Sequence, residues 1–159
     1  MVKRTPKMTP EAVAAFLKEV RRLAESAETS AVNSRTWANG KVNKTQRFMA
    51  EAGITSHVVR EVVRELRVKH FSRVMDDCNP YFQDETVWIF GMKKNLTDHV
   101  ESLYIKLKIR KMSGKALLIM SFHPERPARG EDRLTFPLQN YTEDEEADPA
   151  ERFSALQGI

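Results

Sequence analysis

The chain has 159 residues, 41% of them hydrophobic and 30% charged, a balance that suits a single domain with one core and no need of disulfide staples. No apolar run approaches the ~18 residues a membrane span needs, and MVKRTPKMTP at the start has no apolar segment behind its positive charges, so no signal peptide is expected. Cys78 stands alone, which excludes an internal disulfide and a multi-cysteine metal site and fits a reducing, cytoplasmic setting.

Charge is unevenly placed. Residues 1–123 carry 22 Lys and Arg against 13 Asp and Glu, a surplus of +9, whereas residues 124–159 carry 4 against 9, a deficit of −5. A basic body with an acidic end suits a polyanionic partner, or simply a solvated surface.

In chain order, residues 1–8 read as an extended basic arm. Thr9-Pro10 then opens a helix, with Thr as N-cap and Pro in the first turn. Val13, Phe16, Leu17, Val20 and Leu23 form its apolar stripe, which ends near Glu25. Residues 26–43 are small and polar, a connector in which Trp37 docks onto the core. A second helix runs from about Thr45 to Ala52 and ends on Gly53 as a left-handed cap. Ser56 caps a third helix, which buries Val59, Val62, Val63 and Leu66 and turns Arg60, Arg64 and Arg67 outward. The GITS between these helices is the right length for a helix-turn-helix, so a DNA-binding reading of residues 45–67 competes with a solvated helix face.

HFSRVM reads as a short helix with Phe71, Val74 and Met75 inward. A loop follows, broken at Asn79-Pro80. DETVWIF is apolar on both faces, hence a central or well-covered strand, with Trp88 in the core. GMKKNLTDHVE reads as a connection. SLYIKLKIRK alternates: Tyr104, Lys106, Lys108 and Arg110 point one way, Ile105, Leu107 and Ile109 the other. A turn at Ser113-Gly114 leads into KALLIMSFH, where Leu118, Met120 and Phe122 share one face and Leu117, Ile119, Ser121 and His123 the other. FPLQNY reads as a short edge strand. Residues 143–151 are an acidic run, disordered or folded back on the basic face. Helices first and an antiparallel sheet second make an α+β fold with a polar C-terminal tail: one domain over 1–123 and a tail over 124–159.

Most familiar catalytic signatures are absent. There is no glycine-rich phosphate loop, no HExxH, no GxSxG elbow and no metal-like spacing among His57, His70, His99 and His123, so no cofactor or metal is expected. Tyr, His, Lys and Arg on a sheet face suit metal-independent RNA cleavage, in which the 2′-OH attacks the adjacent phosphate. The protein then moves two protons and neutralises charge. Equally, Tyr-x-Lys-x-Lys on a strand describes an exposed face, so a pure interaction module also fits.

Several short motifs occur in the right order for a known family. Lys3-Arg4-Thr5-Pro6 comes first, then Gly53-Ile54 and the apolar set Val59, Val62, Val63 and Leu66. Phe71-Ser72-Arg73-Val74-Met75 follows, then Asp84-Glu85-Thr86-Val87-Trp88, Tyr104-Ile105-Lys106-Leu107, and Leu118-Ile119-Met120-Ser121-Phe122-His123. Over roughly residues 53–123 the chain resembles the MqsR family of type II toxin–antitoxin toxins, mRNA-cleaving ribonucleases of RelE-like fold. The resemblance implies a sequence-selective mRNA endoribonuclease, with mRNA as substrate and a cognate antitoxin as partner. Carried over residue by residue, it implies a catalytic set of Arg73 (Lys in the family), Tyr104 and His123 (Lys in the family). Ile89 stands where the family has Gln. Lys106, Lys108, Arg110, Lys93 and Lys94 would hold the RNA backbone. The first helix, the 26–43 connector and the long tail depart from the compact family pattern.

Overall fold

The structure, a computed structural model, describes residues 8–36, 40, 42–77, 85–111, 114–125 and 133–142. Trp37, the basic arm up to Lys7, the Asn79-Pro80 loop and the acidic run 143–151 lie outside them.

Helix α1 spans Pro10–Leu23. Its N-cap, Thr9, accepts from the Ala12 amide, and Val13, Leu17, Val20 and Leu23 are buried at helical spacing. The side chain of Asn43 caps α2, Lys44–Ala52, which stops at Gly53 with φ +69°. Thr55, not Ser56, caps α3, Ser56–Arg64, by accepting from the Val58 amide. Val59, Val62 and Val63 face inward, and Leu66 follows them into the core. These helices serve the domain's interior: Thr45 of α2 accepts the buried Phe122 amide, and Arg64 of α3 lies by Glu25 and Glu61. The outer surface of the would-be recognition helix is therefore partly charge-compensated.

Among the described residues there are five strands: β1 Ser30–Val32, β2 Phe71–Asp76, β3 Thr86–Asn95, β4 Val100–Arg110 and β5 Ala116–Pro124. They form one sheet in the order β1-β5-β4-β3-β2. The β2–β3, β3–β4 and β4–β5 pairs are antiparallel and β1 runs parallel to β5. The α+β class stands, with a mixed sheet in place of a purely antiparallel one. One face carries the helices. There Phe16 stacks on Trp88 at 4.0 Å between ring centroids, and Phe71, Val74, Phe90, Leu103, Ile105, Leu107, Leu117, Ile119 and Phe122 complete the core.

Four sequence expectations are corrected. HFSRVM is not a helix: a single 3-10 turn, Val68–His70, leads into β2. Phe71 and Val74 both face the core because the β2–β3 register shifts between Phe71 and Arg73. The extra residue gives a strand a spacing of three between inward side chains, which imitates a helix. The same device recurs in β5. Lys106 pairs with Ser121 but Leu107 pairs with Ile119, so Met120 is the extra residue. Leu117, Ile119 and Phe122 therefore point to the helices together, and the expected grouping of Phe122 with Leu118 and Met120 fails. Within 26–43, Ser30–Val32 is a strand, fixed to β5 by backbone bonds from Leu117 N to Thr29 O and from Asn33 N to Ile119 O. Finally, Gly91–Asn95 continues β3 rather than forming a connection.

Of the residues past β5, those described beyond Glu125 lie against the domain. Residues 133–142 are placed against it, with residues 137–140 as a turn rather than an edge strand, and Leu138 and Tyr141 pack on the main core.

Candidate active site

The sheet face opposite the helices carries the candidate residues, and strand register decides which of them meet. In one cross-strand row Gly91 of β3, Tyr104 of β4 and His123 of β5 are Cα partners. The adjacent row runs Arg73, Ile89, Lys106, Ser121 across β2, β3, β4 and β5. Residues two apart along a strand share a face, so these rows lie side by side. The bulge at Met120 is what brings Ser121 and His123 onto the Tyr104 face while Ile119 stays in the core.

The Tyr104 and His123 rings are nearly parallel, 21° apart, with centroids 5.4 Å apart. Both residues are buried, at 6% and 5% exposure. His123 Nδ1 lies 3.0 Å from the Pro124 carbonyl. A carbonyl only accepts, so Nδ1 carries the hydrogen and the lone pair of the neutral ring sits on Nε2. Arg73 donates from Nη1 to the Arg133 carbonyl at 2.9 Å. Ile89, between Arg73 and Lys106 in its row, is fully buried, so the middle of that row is apolar.

Beside these rows the same face opens into a groove of about 580 Å³ lined by, among others, Lys106, Arg110, Ser121, Asn33 and Arg35. Its far wall is held in place by side chains. Asn43 Nδ2 donates to the carbonyls of Asn33 and Arg35, Gln46 Nε2 donates to the Asn33 carbonyl, and Asn33 Nδ2 donates to the Met120 carbonyl.

Two expected backbone-binding lysines are placed elsewhere. Lys108 is on the expected face but buried, ion-paired with Asp77 and 3.5 Å from Glu85. It is a structural cation beneath the groove rather than a solvent-facing one. Lys94 points to the helix side and pairs with Glu65 at 2.7 Å. Lys93 is exposed on the Tyr104 side, across from Ser102. Tyr104, His123, Lys106 and Arg110 share one sheet face, and Arg73, expected on a helix, joins them from β2.

Sequence reading missed the other half of the surroundings. Leu134 and Phe136 lie directly over Gly91: a Cβ added there would come within 2.8 Å of Phe136 Cζ. The Leu134 amide donates to Glu125 Oε1 at 3.0 Å, and the Thr135 amide donates to Ser72 Oγ at 3.2 Å. Glu125 is itself tied to Ser102 through both backbone and side chain. A glycine inside the apolar strand TVWIFGMKKN is the one signal that marks such a close approach.

Residues 14–124 match the model of the family described as "Motility quorum-sensing regulator, toxin of MqsA". The chain belongs to that family. Membership makes it the toxin of a toxin–antitoxin pair, with an antitoxin as partner. The match begins inside α1 and spans the 26–43 connector, so these parts belong to the family region instead of departing from it. No curated protein and no solved structure matches the chain. Among the described residues no helix is long and apolar enough to cross a membrane.

Proposed function

We propose that this toxin is a metal-independent, sequence-selective endoribonuclease acting on mRNA in the cytoplasm, and that the Tyr104–His123 row is where it cuts. The observation that carries the reading is the pairing of a Tyr and a His ring on adjacent strands, next to a row that carries Arg73 and Lys106 on either side of Ile89. His123 takes the 2′-OH proton on Nε2. The 2′-oxygen forms its bond to phosphorus as the bond from phosphorus to the 5′-oxygen breaks. Tyr104 donates its hydroxyl hydrogen toward the phosphate or the departing 5′-oxygen, and Arg73 clamps the charge that builds on the phosphorane. The products are a 2′,3′-cyclic phosphate and a 5′-hydroxyl, and no metal enters the proton balance.

Lys106, Arg110 and Arg35 along the groove, with Lys93 on the other side of the row, give a strand of RNA fixed positive charge to follow. Lys108 and Lys94 have no part in this path, because their carboxylate partners already neutralise them.

The test is incubation of the purified toxin with single-stranded mRNA in excess EDTA. Fragments ending in a 2′,3′-cyclic phosphate and recurring at a fixed short sequence are the expected result. Intact RNA with EDTA but cleavage with magnesium would overturn the metal-independent mechanism. Intact RNA under every condition, including protein freed of antitoxin, would overturn the ribonuclease reading.

A further inference from the structure

The row that holds Gly91, Tyr104 and His123 is overlaid at Gly91 by the protein's own chain. From Arg133 the described chain sets Leu134 and Phe136 over Gly91, turns at residues 137–140, and packs Leu138 and Tyr141 against the core. Three polar ties fasten this segment at its start: Arg73 Nη1 to the Arg133 carbonyl, the Leu134 amide to Glu125, and the Thr135 amide to Ser72. Gly91 is the Cα partner of Tyr104, so the apolar pair stands beside the ring that the ribonuclease reading makes catalytic. One tie occupies Nη1 of Arg73, so that donor reaches a phosphate only once the Arg133 carbonyl lets go.

Attachment at this position is uneven. Leu134 and Phe136 are only half-buried, and Arg133 and Thr135 between and beside them are exposed. A segment held by partly buried side chains and a few polar bonds, with none of its residues fully buried, opens locally more readily than a core strand. The groove beside it, by contrast, is already open. An RNA strand could thus lie along Lys106 and Arg110 while the row that would cut it stays overlaid at Gly91.

We infer that residues 133–141 form an intramolecular strap that must lift from Gly91 and release Arg73 before single-stranded RNA reaches Tyr104 and His123, so that the toxin is restrained by its own chain. The inference rests on the ribonuclease reading for its consequence, but the cover itself is measurable without activity. When only a small fraction of molecules is open, the apparent rate falls by that fraction, and loosening the strap restores it.

The experiment uses the full chain with Cys78→Ser. Leu134→Ala/Phe136→Ala loosens the strap. Ser72→Cys/Thr135→Cys locks it when oxidised, since the Ser72 Oγ to Thr135 N distance of 3.2 Å brings the two positions within bridging reach. Two quantities are read: cleavage of a single-stranded RNA, and acylation of His123 by diethyl pyrocarbonate, followed by peptide mass spectrometry. The loosened protein is expected to be acylated at His123 at least fivefold faster, and to cleave at least threefold faster, than its parent. The locked protein is expected to cleave at least tenfold slower, with full recovery in dithiothreitol. Equal cleavage by oxidised and reduced forms of the bridged variant would overturn the strap. So would His123 acylation unchanged by both loosening and locking. If His123 acylation shifts as expected but no form cleaves any RNA, the cover is supported and the ribonuclease reading falls on its own.

Discussion

Lys106 and Lys108 sit two residues apart on β4 and share a face, yet they should behave as opposites. Lys108 is 1% exposed and Asp77, its partner, 8%; Glu85 is a second carboxylate 3.5 Å away. Lys108→Met keeps the length of the stem and removes the charge, leaving two acidic groups beside a site that no longer holds a cation. Breaking a buried pair from one side costs about 3–5 kcal/mol. Entropies of unfolding for a chain of this length convert that into a fall in Tm on the order of 10 °C. Lys106, part-exposed at the groove edge, should unfold within about 1 °C of the parent as Lys106→Met. Its loss should appear in RNA binding instead: weaker affinity at low salt, and a slope of log affinity against log salt shallower by about 0.7, the contribution of one single-strand phosphate contact. Thermal melts at pH 7 and filter binding of a non-cleavable oligonucleotide at several salt concentrations measure both. The reasoning is refuted if Lys108→Met melts with the parent and loses RNA affinity as Lys106→Met does, because Lys108 would then be a solvent-facing binder after all.

Three further outcomes follow from single contacts. Gly91→Ala places a methyl where Phe136 already stands; overpacking of this kind costs about 1–3 kcal/mol, and hydrogen exchange at the Leu134 and Thr135 amides should speed up at least tenfold, whereas unchanged protection would mean the strap does not press on this strand. Thr45→Val removes the acceptor of the buried Phe122 amide at nearly constant shape, for an expected loss of about 1–3 kcal/mol in urea unfolding; a loss below about 0.5 kcal/mol would show that the amide finds another partner. Glu19 accepts from Arg22 and pairs with Lys115 at 2.9 Å, and these cations hold its carboxyl at about 2, below its ordinary value of 4.5. Its stabilisation is therefore present above pH 4.5 and lost as pH falls through about 2. Glu19→Gln should cost about 0.5–1 kcal/mol at pH 6, the scale of a solvent-screened pair, and close to nothing at pH 2; a pH-independent difference would contradict the linkage.

The regular parts of the chain were legible because periodicity and capping chemistry agree there. Thr9-Pro10 marks the start of α1, Gly53 the end of α2, and the Tyr104 to Arg110 alternation the strand that carries the site. The errors cluster where one inserted residue changes the period. Bulges in β2 and β5 put Phe71 with Val74 and Ile119 with Phe122 on common faces, spacings that sequence alone reads as helix or as the wrong side of a strand. Ser30–Val32 was missed because a three-residue edge strand of Ser, Ala and Val is fixed by backbone pairing with β5 and carries no apolar alternation of its own. Lys108 shows the limit of reading a face from alternation: the side was right, but burial came from Asp77 and Glu85 on segments remote in sequence. Arg73, Tyr104 and His123 were named through family resemblance, and strand register then placed all three on one face. The strap left only the mid-strand Gly91 as a sequence trace, since Leu134 and Phe136 sit in a Pro- and charge-rich stretch with no period.

The most direct test of the central claim is the single-turnover cleavage rate of His123→Ala and Tyr104→Phe on one short single-stranded RNA, with folding checked by thermal melting. Loss of a positioned proton-transfer group predicts a fall of at least about a hundredfold for His123→Ala, and a clear fall for Tyr104→Phe, in proteins that melt as the parent does. Parental rates in both variants would contradict the assignment and move the chemistry off the Tyr104–His123 row.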